Sequence, residues 1–215
     1  MVQVEIVAFC LQPVAGVSTS GVHRVIEQQA ALNGDTPAIV DAARSLSYRE
    51  LNRRANAVAR CLIAHGFRRG SVATVNMPGC PELAIVCLAV LKAGGAYYWR
   101  HADGLWPQGV SFQQDDASDP QRDVAVDVSK ALTEATHHSP NLPIVTRATD
   151  LARVMEGTDG QPSVLVPHST LTALCDDRAP RGVFECSDAA ALDVWPVLMC
   201  GSAVSFSSHT ALSAA

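Results

Sequence analysis

The stretch SYRELNRRANAVARCLIAHG, residues 47–66, carries the strongest structural pattern in this 215-residue chain. Its apolar residues recur at the spacing of one helix face: Tyr48, Leu51, Ala55, Val58, Ala59 and Leu62. Ser47 and Glu50 have the spacing of a capping box, and Gly66 follows as a stop signal. The opposite face, which we expect to be solvated, carries four arginines: Arg49, Arg53, Arg54 and Arg60. The stretch therefore predicts an amphipathic helix that buries one face.

The segments that follow alternate between strand and helix patterns. SVATVNM (71–77) predicts a strand, PELAIVCLAVLKAG (81–94) a helix apolar nearly all round and therefore buried, and AYYW (96–99) another strand. Weaker patterns predict strands at 1–13, 123–128, 142–146, 163–167, 183–187 and 202–206, and helices at 129–136, 169–175 and 189–200. Residues 101–120 are rich in turn formers and predict a long, mobile loop. This order favours an α/β fold with mostly parallel sheet and helices on both faces.

Composition narrows the class of function. Only 17% of the residues are charged and the formal net charge is -5, so the chain shows no electrostatic footprint for nucleic acid. The longest uncharged apolar block, residues 83–91, is too short to span a bilayer, and the N-terminus has no basic leader. We therefore expect a cytoplasmic protein without a membrane partner. Seven widely spaced cysteines with no C-x-x-C favour reduced thiols over disulfides or a zinc site.

One glycine-containing stretch has the form of a loop that wraps a phosphate and feeds a strand. It is MEGTDGQPSVLVPH, residues 155–168, in which Gly157 and Gly160 lie three apart with Thr158 between them. The stretch contains no lysine or arginine, and Glu156 and Asp159 place two carboxylates in it. The residues alone leave open whether this loop binds a nucleotide or only turns the chain.

Taken in order, these segments resemble the front part of an adenylation domain, the amino-acid-activating branch of the ATP-dependent adenylate-forming (AMP-binding) ligases of nonribosomal peptide synthetases. SYRELNRRAN (47–56) and LAVLKAGGAY (88–97) carry the resemblance. It implies a fold like the N-terminal subdomains of such a domain. Residues 22–150 would form a first subdomain and 151–206 part of a second, with an extension at 1–21 and a tail at 207–215.

The resemblance gives the glycine loop a role. The phosphate loop of the family, T-S-G-[ST]-T-G-x-P-K-G, holds the triphosphate of ATP through hydroxyls, backbone N–H groups and a lysine. The positions that match it are Gly157, Thr158, Gly160 and Pro162, whereas Met155, Glu156 and Asp159 replace hydroxyl residues and Ser163 replaces the lysine.

The resemblance therefore implies a degenerate nucleotide site at Gly157, Thr158, Gly160 and Ser163. A triphosphate needs donors and positive charge, and this loop has lost the cation and gained two carboxylates. One interpretation is a loop that still binds nucleotide through Mg²⁺ and its backbone. The other is a loop that now only turns the chain.

A second family signature, F-D-x-S-x-x-E, contains the aspartate that pairs with the amino group of the bound amino acid. SDAAALD (187–193) aligns with it without a gap, so the resemblance implies a substrate-binding role for Asp188, with Asp193 in place of the glutamate. The alternative is that Asp188 only caps the following helix.

The resemblance leaves three functions open. The first is a truncated, non-catalytic binding or structural module of nonribosomal peptide biosynthesis. The second is the N-terminal half of a split ATP-dependent amino-acid adenylating ligase. The third is an adaptor that docks an MbtH-like protein or another synthetase partner. We expect no catalytic residue, no metal site and no cofactor in the isolated chain, but ATP and Mg²⁺ if activity is retained. A homodimer is a further expectation, because an incomplete sheet leaves edges to cover.

Overall fold

The computed structural model of the protein describes residues 21–41, 44–77, 79–101, 109–116, 119–133, 139–144, 146–156, 162–174, 183–186 and 194–206. The helices within these ranges are α1 (Val22–Leu32), α2 (Tyr48–Ala64), α3 (Pro81–Lys92), α4 (Ser129–Thr133), α5 (His168–Ala173) and α6 (Val194–Met199). The strands are β1 (Pro37–Val40), β2 (Ser45–Ser47), β3 (Val72–Met77), β4 (Ala96–His101), β5 (Gly109–Asp116), β6 (Asp119–Val126), β7 (Leu151–Glu156), β8 (Pro162–Pro167), β9 (Val183–Cys186) and β10 (Ala203–Phe206).

The strands form two sheets. The larger has six strands in the order β6-β5-β3-β4-β7-β8, and the smaller has four in the order β2-β1-β10-β9. Parallel pairs join β3, β4 and β7 in the middle of the larger sheet and β1, β10 and β9 in the smaller one. The predicted α/β class is confirmed. The described strands nevertheless make as many antiparallel as parallel pairs, because β2, β5, β6 and β8 are added as antiparallel neighbours.

Both sheets draw strands from either side of residue 150. In the smaller sheet β10 pairs with β1, and in the larger sheet β7 pairs with β4. The subdomain boundary predicted at residue 150 therefore does not fall between the two sheets.

Helix α2 matches the amphipathic pattern of its sequence. Ser47 Oγ accepts a hydrogen bond from the Glu50 backbone N–H at 3.3 Å, which is the N-cap half of the predicted capping box. The Glu50 carboxylate instead pairs with Arg54 one turn later. All six apolar residues of the predicted face are buried. The helix ends at Ala64, and Gly66 follows with a φ of 99°, a left-handed conformation that glycine adopts without strain.

Helix α3 is buried on nearly every side, as its composition predicts. Among its residues only Glu82 is not fully buried. A close contact explains the second glycine of the pair that follows it. A Cβ at Gly95 would lie 2.3 Å from the Phe67 ring and 2.5 Å from the Ser71 carbonyl oxygen, so only glycine fits there.

The prediction of a long loop at residues 101–120 is wrong for residues 101, 109–116 and 119–120, whereas 102–108 and 117–118 lie outside the described residues. Strand β4 continues to His101, and β5 and β6 form an antiparallel hairpin whose first strand also pairs with β3. Val110 and Phe112 are buried, and Phe112 meets the Phe67 ring edge-on at 5.0 Å between centroids. Two inward apolar residues at period two are enough to anchor a strand on a packed face. Because the residues around them are mostly polar, the alternation of these two apolar residues was too short to predict a strand from the sequence.

The strand predicted at residues 142–146 is also wrong, since 142–144 and 146 are irregular. Leu142 is buried, but Pro143 has no N–H to give to a sheet. The Ile144 carbonyl accepts a hydrogen bond from Arg24 Nη2 at 3.0 Å rather than from a strand. The Arg24 side chain of α1 therefore satisfies this carbonyl in place of a neighbouring strand.

The remaining predicted elements are present, although 134–136, 175, 187 and 189–193 of their predicted ranges lie outside the described residues. The strands predicted at 71–77, 96–99, 123–128, 163–167, 183–187 and 202–206 correspond to β3, β4, β6, β8, β9 and β10, and the three later helices to α4, α5 and α6. The prediction for residues 1–13 lies outside the described residues.

Candidate functional site

The candidate phosphate loop is carried by the β7–β8 hairpin at one edge of the larger sheet. Glu156 pairs with Pro162 across the neck of the hairpin, so the two strands fix the ends of the segment 157–161. Gly157, Thr158 and Gly160 lie outside the described residues. Ser163 lies in β8, where the structure describes its backbone but not its side chain.

The candidate amine-binding residue Asp188 also lies outside the described residues, in the segment 187–193 between β9 and α6. The two sequence motifs are therefore attached to different sheets. The phosphate loop belongs to the larger sheet, through β8, and the Asp188 segment follows β9 of the smaller one.

A buried hydrogen bond joins the parts of the structure that carry these two motifs. Trp195 Nε1, at the start of α6, donates to Tyr97 Oη of β4 at 2.7 Å. Both side chains are fully buried, and their ring centroids lie 6.3 Å apart. A buried indole N–H needs a partner, and the tyrosine hydroxyl supplies it. This contact fixes the helix that follows Asp188 against the strand next to β7.

Among the described basic residues of the hairpin and its approach, Arg69 is ion-paired and Arg153 is buried, whereas the Arg147 side chain is exposed before β7. Arg69 binds the Asp150 carboxylate at 2.7 Å, at the opposite end of β7 from the loop. A second bond to Asp150 comes from the Arg147 N–H, and together these hold the pKa of that carboxyl below its usual range. Arg153 of β7 is buried, and its charge opposes the rise that burial gives the pKa of the Cys87 thiol in α3. The described part of the hairpin therefore offers the loop no compensating cation.

Two clefts in the described structure are lined by charged residues. The first, about 370 Å³, includes Arg69, Gly94, Asp150 and Leu151. It lies at the start of β7, whereas ligands of open α/β sheets bind at the carboxyl ends of the parallel strands. In this cleft the Arg69–Asp150 pair leaves no free positive charge for an anion.

The second cleft, about 480 Å³, lies beside the end of β3 and the start of α3. Its two arginines already pair with carboxylates, Arg44 with Glu82 and Arg54 with Glu50. Met77, Val128 and Leu132 supply its apolar surface. Neither cleft has the uncompensated charge that a nucleotide phosphate requires.

Sequence reasoning missed a buried ion pair between the helices. Lys92, at the end of α3, is 1% exposed and donates to Glu27 Oε1 of α1 at 2.5 Å. Arg24 binds the other Glu27 oxygen at 2.8 Å. Burial lowers the pKa of Lys92 to about 8, and the Glu27 carboxylate opposes that shift. The sequence feature that could have indicated this ion pair is Lys92 itself, a single basic residue at the end of an otherwise apolar helix.

Side chains of α2 hold the irregular segment 139–144 in place. Asn56 Nδ2 donates to the Ser139 carbonyl at 2.7 Å and to Asn141 Oδ1 at 3.0 Å. Arg60 Nη1 donates to Ser139 Oγ at 3.0 Å, so part of the predicted arginine stripe is engaged rather than only solvated. These contacts have a structural role, because each one ends on a carbonyl or side-chain oxygen of this segment.

A pair of buried histidines, also missed, joins the hairpin to α1. His168 Nδ1, directly after β8, accepts a hydrogen bond from the Val22 N–H at 3.2 Å. The His23 ring lies edge-on to it with centroids 5.9 Å apart. Burial lowers the pKa of His23 to about 3 and that of His168 to about 4, and the neighbouring His168 contributes to the shift of His23. Both rings are therefore neutral at neutral pH and serve packing.

Within the described part of the chain, no group of three His, Cys, Asp or Glu side chains could hold a metal ion. Nor does any helix described there have the length and apolarity needed to cross a membrane. The cysteines described with their side chains are free thiols: Cys61, Cys80, Cys87 and Cys200.

Comparison with known proteins matches this architecture. Residues 26–165, well over half of the chain, match the family model described as AMP-binding enzyme. The chain is 30% identical over 188 residues to tyrocidine synthase 3 of Brevibacillus parabrevis, covering 78% of this chain and 3% of that protein. It is 49% identical over 76 residues to tyrocidine synthase 1 of the same organism, which covers 35% of this chain and 7% of that protein.

A solved structure shows the same fold. The N-terminal subdomain of Klebsiella oxytoca NpsA aligns with a TM-score of 0.69 at 18% identity, covering 88% of this chain and 55% of that one. The chain thus spans about half of that subdomain and a small fraction of the synthetases. The family match and the shared fold show that this chain belongs to the AMP-binding enzyme family, as a fragment like the adenylation domains of nonribosomal peptide synthetases.

Proposed function

We propose that these 215 residues form an adenylation-type module without amino-acid-activating turnover of its own, which acts as a binding or structural part of nonribosomal peptide biosynthesis. One observation carries the proposal. The α2–α3 scaffold is densely packed, whereas the hairpin that should hold ATP contains no lysine at Ser163 and two added carboxylates.

The electrostatic penalty of that exchange is large. Two unit charges about 4 Å apart interact by ~4 kcal/mol at the effective dielectric of a protein surface. Compared with the family's loop, a triphosphate here loses the attraction of the lysine and gains the repulsion of Glu156 and Asp159. Each of these three changes weakens the binding free energy by an interaction of that kind. Arg69 cannot compensate, since it is bound to Asp150 at the far end of β7. The loop that remains serves to connect β7 and β8.

One observation favours a second candidate, the N-terminal half of a split adenylating ligase. The SDAAALD segment aligns with the amine-binding signature without a gap, and the buried Trp195–Tyr97 contact fixes the helix that follows it. An amino acid could then be recognised at Asp188 while the ATP chemistry is supplied by another chain. Docking of an MbtH-like protein or another synthetase partner stays a prediction, as does a cytoplasmic location.

The two candidates differ in an ATP–pyrophosphate exchange assay. For the isolated chain we expect no exchange above an enzyme-free blank with any proteinogenic amino acid. Exchange by the isolated chain would overturn the proposal. Exchange that appears only when a second protein of the same synthetase is added, and that is lost in Asp188→Ala, would establish the split ligase instead.

A further inference from the structure

One hydrogen bond between α1 and the end of the β7–β8 hairpin requires a neutral histidine. The Val22 N–H, at the start of α1, donates to His168 Nδ1 at 3.2 Å. A ring nitrogen that accepts a hydrogen bond carries no proton, so the proton of the neutral His168 ring lies on Nε2. In the protonated ring both nitrogens are donors. The Val22 N–H would then face another N–H, and the bond would be lost.

The second buried ring opposes protonation further. The His23 ring lies edge-on to His168 with 5.9 Å between the centroids, and the two residues are at most 2% exposed. A charged imidazolium buried there loses its hydration, and two of them repel each other at this separation. The contact is therefore stable only while both rings are neutral.

The charged groups around His23 do not compensate for a positive charge on it. Lys92 of α3 and Arg24 of α1 both repel such a charge. The Glu27 carboxylate, one turn further along α1, is already paired with both of these cations. It is therefore not available to pair with a protonated His23.

Asp150 is the acidic group that acts on His168. Its charge raises the pKa of that ring, but burial of the ring lowers the pKa by more. The Asp150 carboxylate is moreover paired with Arg69 at 2.7 Å. Helices α5 and α6, which pack against each other, contain no acidic residue and no basic residue besides His168. Among the described neighbours, the charged form of the ring thus finds too little stabilisation to offset its burial.

Each side of the contact is also fixed by bonds that do not involve the two rings. In α1, Gln29 Nε2 donates to the Met199 carbonyl at 2.8 Å. On the side of the hairpin, the Ser169 N–H donates to the Ala148 carbonyl at 2.8 Å. Loss of the Val22 bond can therefore separate the first turn of α1 from the hairpin while the rest of each side keeps its own contacts.

We propose that protonation of His23 and His168 opens this contact, so that acid releases the β7–β8 hairpin and α5 from the first turn of α1 before the α2–α3 scaffold unfolds. Burial holds the pKa of both rings below the ordinary value of 6.5, so the open contact binds protons at a pH at which the closed contact binds almost none. Opening is therefore favoured as the pH falls below 6.5.

Amide hydrogen exchange followed by NMR measures the opening at Val22. The exchange rates are measured at pH 7, 6 and 5 and corrected for the intrinsic rate at each pH. Between pH 7 and pH 5 the protection factor of this amide should fall by about 20-fold if one ring binds a proton and by about 500-fold if both do. A protection factor that does not depend on pH would overturn the proposal.

Low concentrations of urea separate a local opening from global unfolding. A local opening exposes little surface, so the protection factor of Val22 should hardly change with urea. It should also stay below the protection factors of the α3 amides, which fall as the whole chain unfolds. Equal protection and equal urea dependence at Val22 and in α3 would contradict the proposal, because the contact would then open only with the whole fold.

His168→Asn removes one titrating ring and keeps an acceptor, since Asn Oδ1 can accept the Val22 N–H. The fall in protection at Val22 should then shrink to the about 20-fold of His23 alone. Leu32→Asn is the matched control, because Leu32 is 79% exposed at the end of α1, and its fall should equal that of the wild type. A fall of wild-type size in His168→Asn would show that this ring does not control the contact.

A second measurement on the wild-type chain needs no substitution. Long-range ¹⁵N–¹H NMR spectra at pH 7 should show His168 with a proton on Nε2 and none on Nδ1. A proton on Nδ1 would refute the proposal, because the Val22 N–H could not donate to that nitrogen.

Discussion

Helix α3 buries eleven of its twelve residues, whereas β8, the edge strand three positions from β3 in the six-stranded sheet, leaves Val164 and Leu165 exposed. The scaffold of α2 and α3 keeps the adenylation-type sequence and makes the contacts that its pattern predicts. The β7–β8 hairpin is present, but its sequence lacks the lysine and most of the hydroxyl residues of the family's phosphate loop. Packing and ligand chemistry therefore place separate demands on a sequence: this chain keeps the residues that satisfy the first and lacks the lysine that the family's loop uses for the second.

The largest expected effect is on the scaffold's buried ion pair. Glu27→Ala leaves the Lys92 ammonium buried without its carboxylate, which should lower the free energy of unfolding by about 3–5 kcal/mol. Urea denaturation measures this. Asp35→Ala is the matched control, because it breaks the exposed Arg49–Asp35 pair and should change stability by about 0–1 kcal/mol. Equal effects of the two substitutions would show that the buried pair is not part of the scaffold's stability.

The next effect compares the two faces of α2. Leu51 is fully buried, so Leu51→Ala should cost about 2–5 kcal/mol through lost contacts and a residual cavity. Arg53→Ala, on the opposite and partly exposed face, should cost no more than about 1 kcal/mol, since an interaction of a partly exposed side chain contributes little. If Leu51→Ala is no less stable than Arg53→Ala in urea, the core has been misplaced.

Low pH should destabilise the contact between α1 and the end of the β7–β8 hairpin. His23 and His168 have folded pKa values of about 3 and about 4, below the ordinary value of 6.5, so the unfolded chain binds more protons as the pH falls. Their stabilising contribution is present above pH 6.5 and is lost below it, by about 1.4 kcal/mol per pH unit for each ring down to its folded pKa.

Chemical denaturation between pH 7 and pH 4 measures this slope. His23→Met should remove about half of the histidine contribution. A slope that His23→Met does not alter would mean that the ring is not buried neutral.

The sequence predicted secondary structure and burial best where apolar residues recur with the spacing of a buried helix face. The apolar stripe of α2 and the apolar run of α3 identified both helices and their burial, since no competing structure buries those residues as well. Residues 109–116 were missed because only Val110 and Phe112 carry the strand pattern there. The apolar pattern of residues 142–146 predicted a strand that does not form. Side-chain donors that are distant in sequence, such as Arg24, satisfy the backbone carbonyls there in place of a neighbouring strand.

The candidate site was harder to predict than the fold. The loop motif identified the strand that follows it, β8, but not β7 before it, and the structure pairs these two strands as far as Glu156 and Pro162. The roles of Gly157, Thr158, Gly160, Ser163 and Asp188 stay predictions. Lys92–Glu27 and His23–His168 join residues 65 and more than one hundred positions apart, so no local pattern could have paired them.

Restoring the hairpin's chemistry should affect binding and not stability. In Ser163→Lys combined with Glu156→Ser, the lost cation returns and one carboxylate is removed. The change should leave the free energy of unfolding within about 0.5 kcal/mol, because both positions flank a loop. Affinity for ATP with Mg²⁺ should rise. Gln28→Lys, which adds a cation on the exposed face of α1, is the control and should not change it.

The central claim is that the scaffold persists while the phosphate loop has lost its function. Calorimetric titration of the wild-type chain with ATP and Mg²⁺ tests it most directly. Binding should be absent or no tighter than millimolar, equivalent to ~4 kcal/mol or less. Micromolar binding by the wild type would contradict the claim, because it would show that the loop still holds a triphosphate without its lysine.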